Sequence, residues 1–197
     1  MRALPRGSYG ARLIVASRRM RVIGFAVAFV VVVVLDQLSK MLMRGFLADG
    51  RSVTLIPGVM DLHLVFNRGA AFGMGEGGAW VFVAVAVLIA LGCVVYVLVG
   101  KPSVPLATVL GVVAGGGVGN LIDRVGTGAV TDFFLPTCID FAVFNVADIA
   151  ITCGFVVALI LFWRAESKRE VQDEGLASNS NNVIESLDKP STSKRDF

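Results

Sequence analysis

The residues able to do chemistry crowd into one stretch. Between Gly115 and Asp148 lie Asn120, Asp123, Arg124, Asp132, Asp140, Asn145 and Asp148, with apolar, membrane-type sequence on both sides. Carboxylates cost a few kcal/mol or more at mid-membrane, so several kept there imply a use. Asp132 and Asp148 are the candidates for a hydrolytic pair. Two carboxylates brought close do not both ionise easily, so one holds a proton. The ionised partner can then deprotonate a water that attacks a carbonyl. The protonated partner can bind that carbonyl and later protonate the leaving amine. This chemistry needs neither a metal nor a nucleophilic serine. The competing reading makes each aspartate a helix N-cap or an ion-pair partner of Arg124, and spacing alone leaves both open.

The neighbouring polar residues carry paired readings too. Asn120, Asp123 and Arg124 stand at i, i+3 and i+4 and share a helix face, as do Asn145 and Asp148. They form either a helix-end ion pair with a cap or a group that orients the acids and holds substrate backbone. Asp36 and Lys40 are spaced i, i+4 in the acid-first order that suits a structural salt bridge. Asn67 and Gly69 begin a small, flexible turn before a helix. Gly115, Gly116, Gly117 and Gly119 allow close helix approach. A phosphate-cradling loop there lacks the Walker lysine.

Composition defines the elements that must position these groups. Of 197 residues, 55% are hydrophobic and 17% charged, whereas a soluble domain carries about 25% charged residues. The chain is therefore an integral membrane protein. Four apolar runs, roughly 21–43, 77–100, 104–122 and 143–163, reach or approach the ~20 residues that cross a bilayer. The basic start followed by Val22–Leu35 looks like a signal peptide. It lacks a small-x-small cleavage site, and Asp36–Lys40 continues at helical spacing, so it is read as the first membrane helix. Between the first two runs, Val53–Ile56 and Val59–Val65 flank Pro57-Gly58 and predict two short strands around a turn. The expected fold class is all-α integral membrane, with four transmembrane helices and a small extracytoplasmic β-sheet region after helix one.

The expected organisation is a basic extension (1–20), a four-helix membrane domain (21–164) and a polar tail without regular structure (165–197). Lys and Arg concentrate at the start, at Lys101 and at Arg164, Lys168 and Arg169, which predicts both termini in the cytoplasm. Every polar group of interest then falls at one depth, near the outer face. That pattern suits an interfacial site better than a transport path. Three cysteines without CxxC spacing exclude a disulfide framework or zinc cluster. Cys93 and Cys153 are expected in the core, and Ala90–Cys93, faintly like a lipobox, is read as core too. The single histidine, His63, is expected on a surface loop. No cofactor, no metal and no nucleic-acid partner is expected.

Together these blocks resemble the bacterial lipoprotein signal peptidase family, signal peptidase II. The matching pieces are LDQLSK at Leu35–Lys40, FNRGAAFG at Phe66–Gly73, GNLIDR at Gly119–Arg124, VTDF at Val130–Phe133 and FNVAD at Phe144–Asp148. The resemblance implies a membrane aspartyl endopeptidase of the bacterial cytoplasmic (inner) membrane. It would remove signal peptides from diacylglyceryl-modified prolipoproteins, cleaving just before the lipidated cysteine. It implies Asp132 and Asp148 as the catalytic pair. Asn67, Gly69, Asn120, Arg124 and Asn145 would bind substrate or shape the site, and Asp36, Lys40 and Asp123 would support it. Globomycin, a cyclic peptide antibiotic, is the expected inhibitor, and a monomer in contact with membrane lipid the simplest state. A proton-coupled carrier and a non-catalytic clamp for lipidated peptides are the rival readings.

Overall fold

A computed structural model describes residues 7–69 and 79–188 of the chain. In order, the elements are α1 (Gly7–Phe46), β1 (Val53–Ile56), β2 (Met60–Asn67), α2 (Ala79–Val99), α3 (Val104–Thr127), β3 (Val130–Pro136) and α4 (Val146–Asp188). Among the described residues four stretches are long and apolar enough to cross a membrane: Arg18–Phe46, Trp80–Val99, Val104–Thr127 and Val146–Ser167. The chain divides into two compact units, Met1–Ala158 and Leu159–Phe197. The first holds the helices and sheet described below. The described part of the second is helical, to Asp188.

α3 is the central helix. Of its most apolar window 44% is buried, against 6%, 6% and 11% for the other spans, whose large apolar side chains face outward. Lipid is as apolar as leucine, so these helices associate through close backbone packing rather than a hydrophobic drive. The glycines of α3 provide it. A Cβ at Gly111 would strike the carbonyl oxygen of Phe25, and one at Gly115 would lie 2.8 Å from that of Phe29. At Gly116 a Cβ would lie 2.7 Å from the carbonyl oxygen of Ala147 in α4. Gly128, at φ 76°, ends the helix as a left-handed cap whose N–H donates to Arg124 O.

The sheet has the order β1-β2-β3, antiparallel throughout. Pro57-Gly58 turns β1 into β2 as expected; Gly58 takes φ 70° and Val59 N–H donates to Ile56 O at 3.0 Å, the demand of a type II turn. The third strand was not foreseen. Residues 130–136 lie beyond α3, and no turn signal ties them to β2. A register shift between Leu62 and Val65 opposes two residues of β2 to one of β3. This bulge sets Asn67 and Asp132 on one face of the sheet.

Other boundaries also moved. α3 runs on past Ile122 because Asp123 and Arg124 find partners. α4 opens at Val146 rather than 143, because Phe144 pairs with β3 and Asn145 caps the helix. Residues 165–188, expected without regular structure on polar composition, continue as helix; Glu, Lys, Arg and Ala there are good helix formers. His63 is a strand residue, half-buried, with Nδ1 2.8 Å from Ser52 Oγ. Residues 70–73 of the FNRGAAFG block, positions 77–78 of the second run, 1–6 and 189–197 lie outside the described residues.

Candidate active site

Asp132 stands on β3, beside β2. Opposite it is Val65, and two residues further along β2 the same sheet face carries Asn67. Asn67 Nδ2 donates to Asp132 Oδ2 at 3.0 Å. Its own Oδ1 accepts from Gly69 N–H at 2.9 Å, folding the chain back in an Asx turn.

Asp148 arrives from the other direction. After β3 the chain returns through Phe144, whose carbonyl accepts from the N–H groups of both Phe133 and Phe134 and whose N–H donates to Phe134 O. This clamp delivers the next residue, Asn145, beside Asp132. Asn145 then caps α4 reciprocally. Asp148 N–H donates to Asn145 Oδ1, and Asn145 N–H donates to Asp148 Oδ2, each at 3.1 Å, a capping box with an acid at its third position. Asp148 is thus not the N-cap but the third residue of the box, which occupies one of its oxygens. The other, Oδ1, accepts from Asn120 Nδ2 at 2.8 Å.

Asn145 is the hub between the two acids. Its Nδ2 donates to Asp132 Oδ1 at 2.7 Å and to Asn120 Oδ1 at 3.0 Å. Asn145 is fully buried, Asn120 and Asp132 are buried, and Asp148 is half-buried. Burial pushes the Asp132 carboxyl up from 3.8 to about 6. Nearby Asp148 adds to that rise, while the donors Asn67 and Asn145 and the charge of Lys40 work against it.

Behind the acids lies a buried charge lattice. Lys40 Nζ sits 2.8 Å from Asp36 Oδ2, 3.2 Å from Asp123 Oδ2, and donates to Asn120 Oδ1 at 2.8 Å. Asp36 Oδ1 accepts from Ala147 N–H in the first turn of α4 at 3.0 Å, a favourable place for a negative charge. Asp123 Oδ2 accepts from Thr131 N–H at 2.9 Å, next to Asp132. Gly119 leaves room for Asp36: a Cβ there would lie 2.5 Å from Oδ2. The lattice therefore holds both segments that carry the candidate acids.

Asn120, Asp123 and Arg124 share the α3 surface but divide by partner. Asp123 turns toward α1. Arg124 does not pair with either candidate acid; its Nη2 donates to Gly69 O at 3.1 Å and its guanidinium lies 5.3 Å from the Phe82 ring centroid. Arg124 Nε is buried without a partner among the described residues. Three contributors escaped the sequence reading. Arg44 donates to Asp123 Oδ1 and to Thr131 Oγ1, each at 2.8 Å, and Gln37 donates to Gly119 O at 3.0 Å. The i+4 and i+8 spacing of Arg44 from Lys40 and Asp36 was the available signal. Thr131 and Gln37 lie inside the VTDF and LDQLSK blocks, which were the only signal for them.

A cleft of about 440 Å³ opens over the acids. Asn67, Asn120, Arg124, Asp132 and Asp148 form its polar wall, and Phe141, Val143, Phe144 and Ile149 its apolar one. Cys153 lines the same cleft and is exposed, not a core residue; Cys93 is buried as expected. Asp140 is exposed in the loop outside the cleft. Among the described residues no cluster of His, Cys, Asp and Glu could hold a metal ion.

Known proteins share this arrangement of elements. Residues 28–164 match the family described as signal peptidase (SPase) II. A lipoprotein signal peptidase of Symbiobacterium thermophilum is 47% identical over 128 residues, 64% of this chain and 84% of its relative. One from Streptococcus pyogenes is 36% identical over 144 residues, covering 72% and 94%. A bacterial membrane enzyme solved by the in meso method superposes with a TM-score of 0.65 at 28% identity, covering 73% of this chain and 90% of that one.

Proposed function

This chain belongs to the signal peptidase II family, and from that premise we propose that Asp132 and Asp148 hydrolyse the peptide bond preceding the diacylglyceryl-cysteine of a prolipoprotein. The family makes the chain a multi-pass membrane peptidase acting on lipoprotein precursors. The finer reading rests on one observation: Asn145 touches both acids on the wall of a single cleft.

The two carboxyls share one proton. The ionised one removes a proton from water as the water oxygen attacks the scissile carbonyl carbon. The protonated one hydrogen-bonds the carbonyl oxygen as it gains negative charge. Collapse of the tetrahedral intermediate breaks the C–N bond, and the leaving cysteine amine takes a proton. Asn67, Asn120 and Asn145 orient the acids. Arg124 and Gly69 hold substrate backbone along the cleft mouth. The lysine and arginine distribution supports cytoplasmic termini and a site near the outer membrane face, within reach of both lipid and water.

Incubating the purified chain with a diacylglyceryl-modified prolipoprotein, with and without globomycin, tests this reading. Cleavage before the lipidated cysteine, blocked by globomycin, is the expected result. Asp132→Asn and Asp148→Asn should each lower the rate by about 10²-fold or more while the protein still inserts. Near-normal cleavage by either variant would rule out the pair. Uptake of a solute into proteoliposomes without proteolysis would favour a carrier instead.

A further inference from the structure

At the opposite end of α1 from the acids, Arg21 is buried and has no ion-pair partner among the described residues. It is 8% exposed, while its neighbours Arg18, Arg19 and Met20 are exposed. Its Nε is buried and has no hydrogen-bond partner among the described residues. Fifteen residues separate it from Asp36, about 22 Å along the helix axis.

Helical spacing gives its direction. Gly24, three residues on, faces α3 so closely that a Cβ would lie 2.5 Å from Thr108 Oγ1 and 3.9 Å from Val104 Cγ1. Phe25, four residues on, meets Gly111. Arg21 shares that face one turn earlier, level with the first turn of α3. There the N-cap Ser103 accepts from Leu106 N–H at 3.4 Å, Pro105 has no N–H, and that of Val104 has no intrahelical acceptor. The positive end of a 24-residue helix thus lies level with a buried arginine whose Nε has no hydrogen-bond partner among the described residues. Both groups call for an anion, and a helix N-terminus suits phosphate. The place lies at the basic end of two membrane spans, with Arg18, Arg19 and Lys101 exposed nearby in sequence.

We propose that Arg21 and the first turn of α3 bind the phosphate of an anionic phospholipid headgroup, at the membrane face opposite the candidate active site. Arg21 supplies the buried charge-assisted donor and Val104 the backbone N–H. The acyl chains run beside the outward-facing apolar residues of α1. A free phosphate has the same recognition chemistry but lacks that apolar tail.

Thermal unfolding of the full-length chain, purified in detergent and stripped of lipid, tests this site. Phosphatidylglycerol should raise the melting temperature in a saturable way. Diacylglycerol, which lacks the phosphate, and inorganic phosphate alone should not. Arg21→Gln should weaken the apparent lipid affinity about tenfold, as loss of a charge-assisted hydrogen bond implies. Arg19→Gln, at an exposed position, should change it little. Equal responses of the Arg21→Gln and unaltered chains would overturn the site. Stabilisation by inorganic phosphate equal to that by lipid would overturn the lipid assignment. If Arg21→Gln does not fold, the unaltered chain decides: no difference between phosphatidylglycerol and diacylglycerol rejects the proposal.

Discussion

Asn145 concentrates the local physics of the site. One side chain caps α4, donates to Asp132 and donates to Asn120, and none of its polar atoms is wasted. The Asp132 carboxyl is pushed up to about 6, first by burial, so the folded state holds this proton more tightly than the unfolded chain does. Between about pH 4 and 6 the folded state binds more protons, and stability falls as the pH rises through that window. Below it the contribution vanishes, and above it the full penalty, at most about 3 kcal/mol, is present. Melting curves from pH 4 to 7.5 should therefore show the unaltered chain losing stability with rising pH relative to Asp132→Asn. An opposite slope would mean that its hydrogen bonds outweigh desolvation.

Among the elements, α3 decides the packing, and its glycines are not equivalent. Gly116 meets the backbone of α4, whereas nothing lies within 4 Å of a Cβ at Gly117. Gly116→Ala should destabilise by about 1–3 kcal/mol through overpacking, with Gly117→Ala near neutral. Comparing their melting temperatures in one detergent checks this. The α1–α3 contact carries the buried charges. Lys40 is fully buried between Asp36 and Asp123, both buried, so Lys40→Met would strand the Asp36 carboxylate and leave Asp123 with Arg44 as its cation. Removing one partner of a buried pair costs about 3–5 kcal/mol. The expected result is a sharp fall in folded protein after extraction, and cleavage should fall with it because Asp36 holds the start of α4 and Asp123 the start of β3.

At the scale of the whole molecule, every residue of the candidate site and cleft lies between Asp36 and Cys153, inside the matched region 28–164. Truncation after Ser167 keeps all four spans. That shortened chain should cleave prolipoprotein at a rate within about twofold of the full one, since surface changes away from such features are usually small. A loss beyond tenfold would give the polar tail a part in the reaction or in folding.

The sequence by itself determined the membrane class, the number of spans, the turn at Pro57-Gly58 and the identity of the polar residues. These depend on local properties: hydropathy over a window, helical spacing and turn chemistry. Only the tertiary structure decided that 130–136 is a strand, that Arg44 and Thr131 complete the lattice around Asp123, that Arg124 turns to Gly69, and that Asn145 joins both acids. Each of those outcomes depends on partners far away in the chain. A bulge in β2 and the clamp at Phe144 select them, and neither leaves a periodic or compositional mark in the residues it brings together.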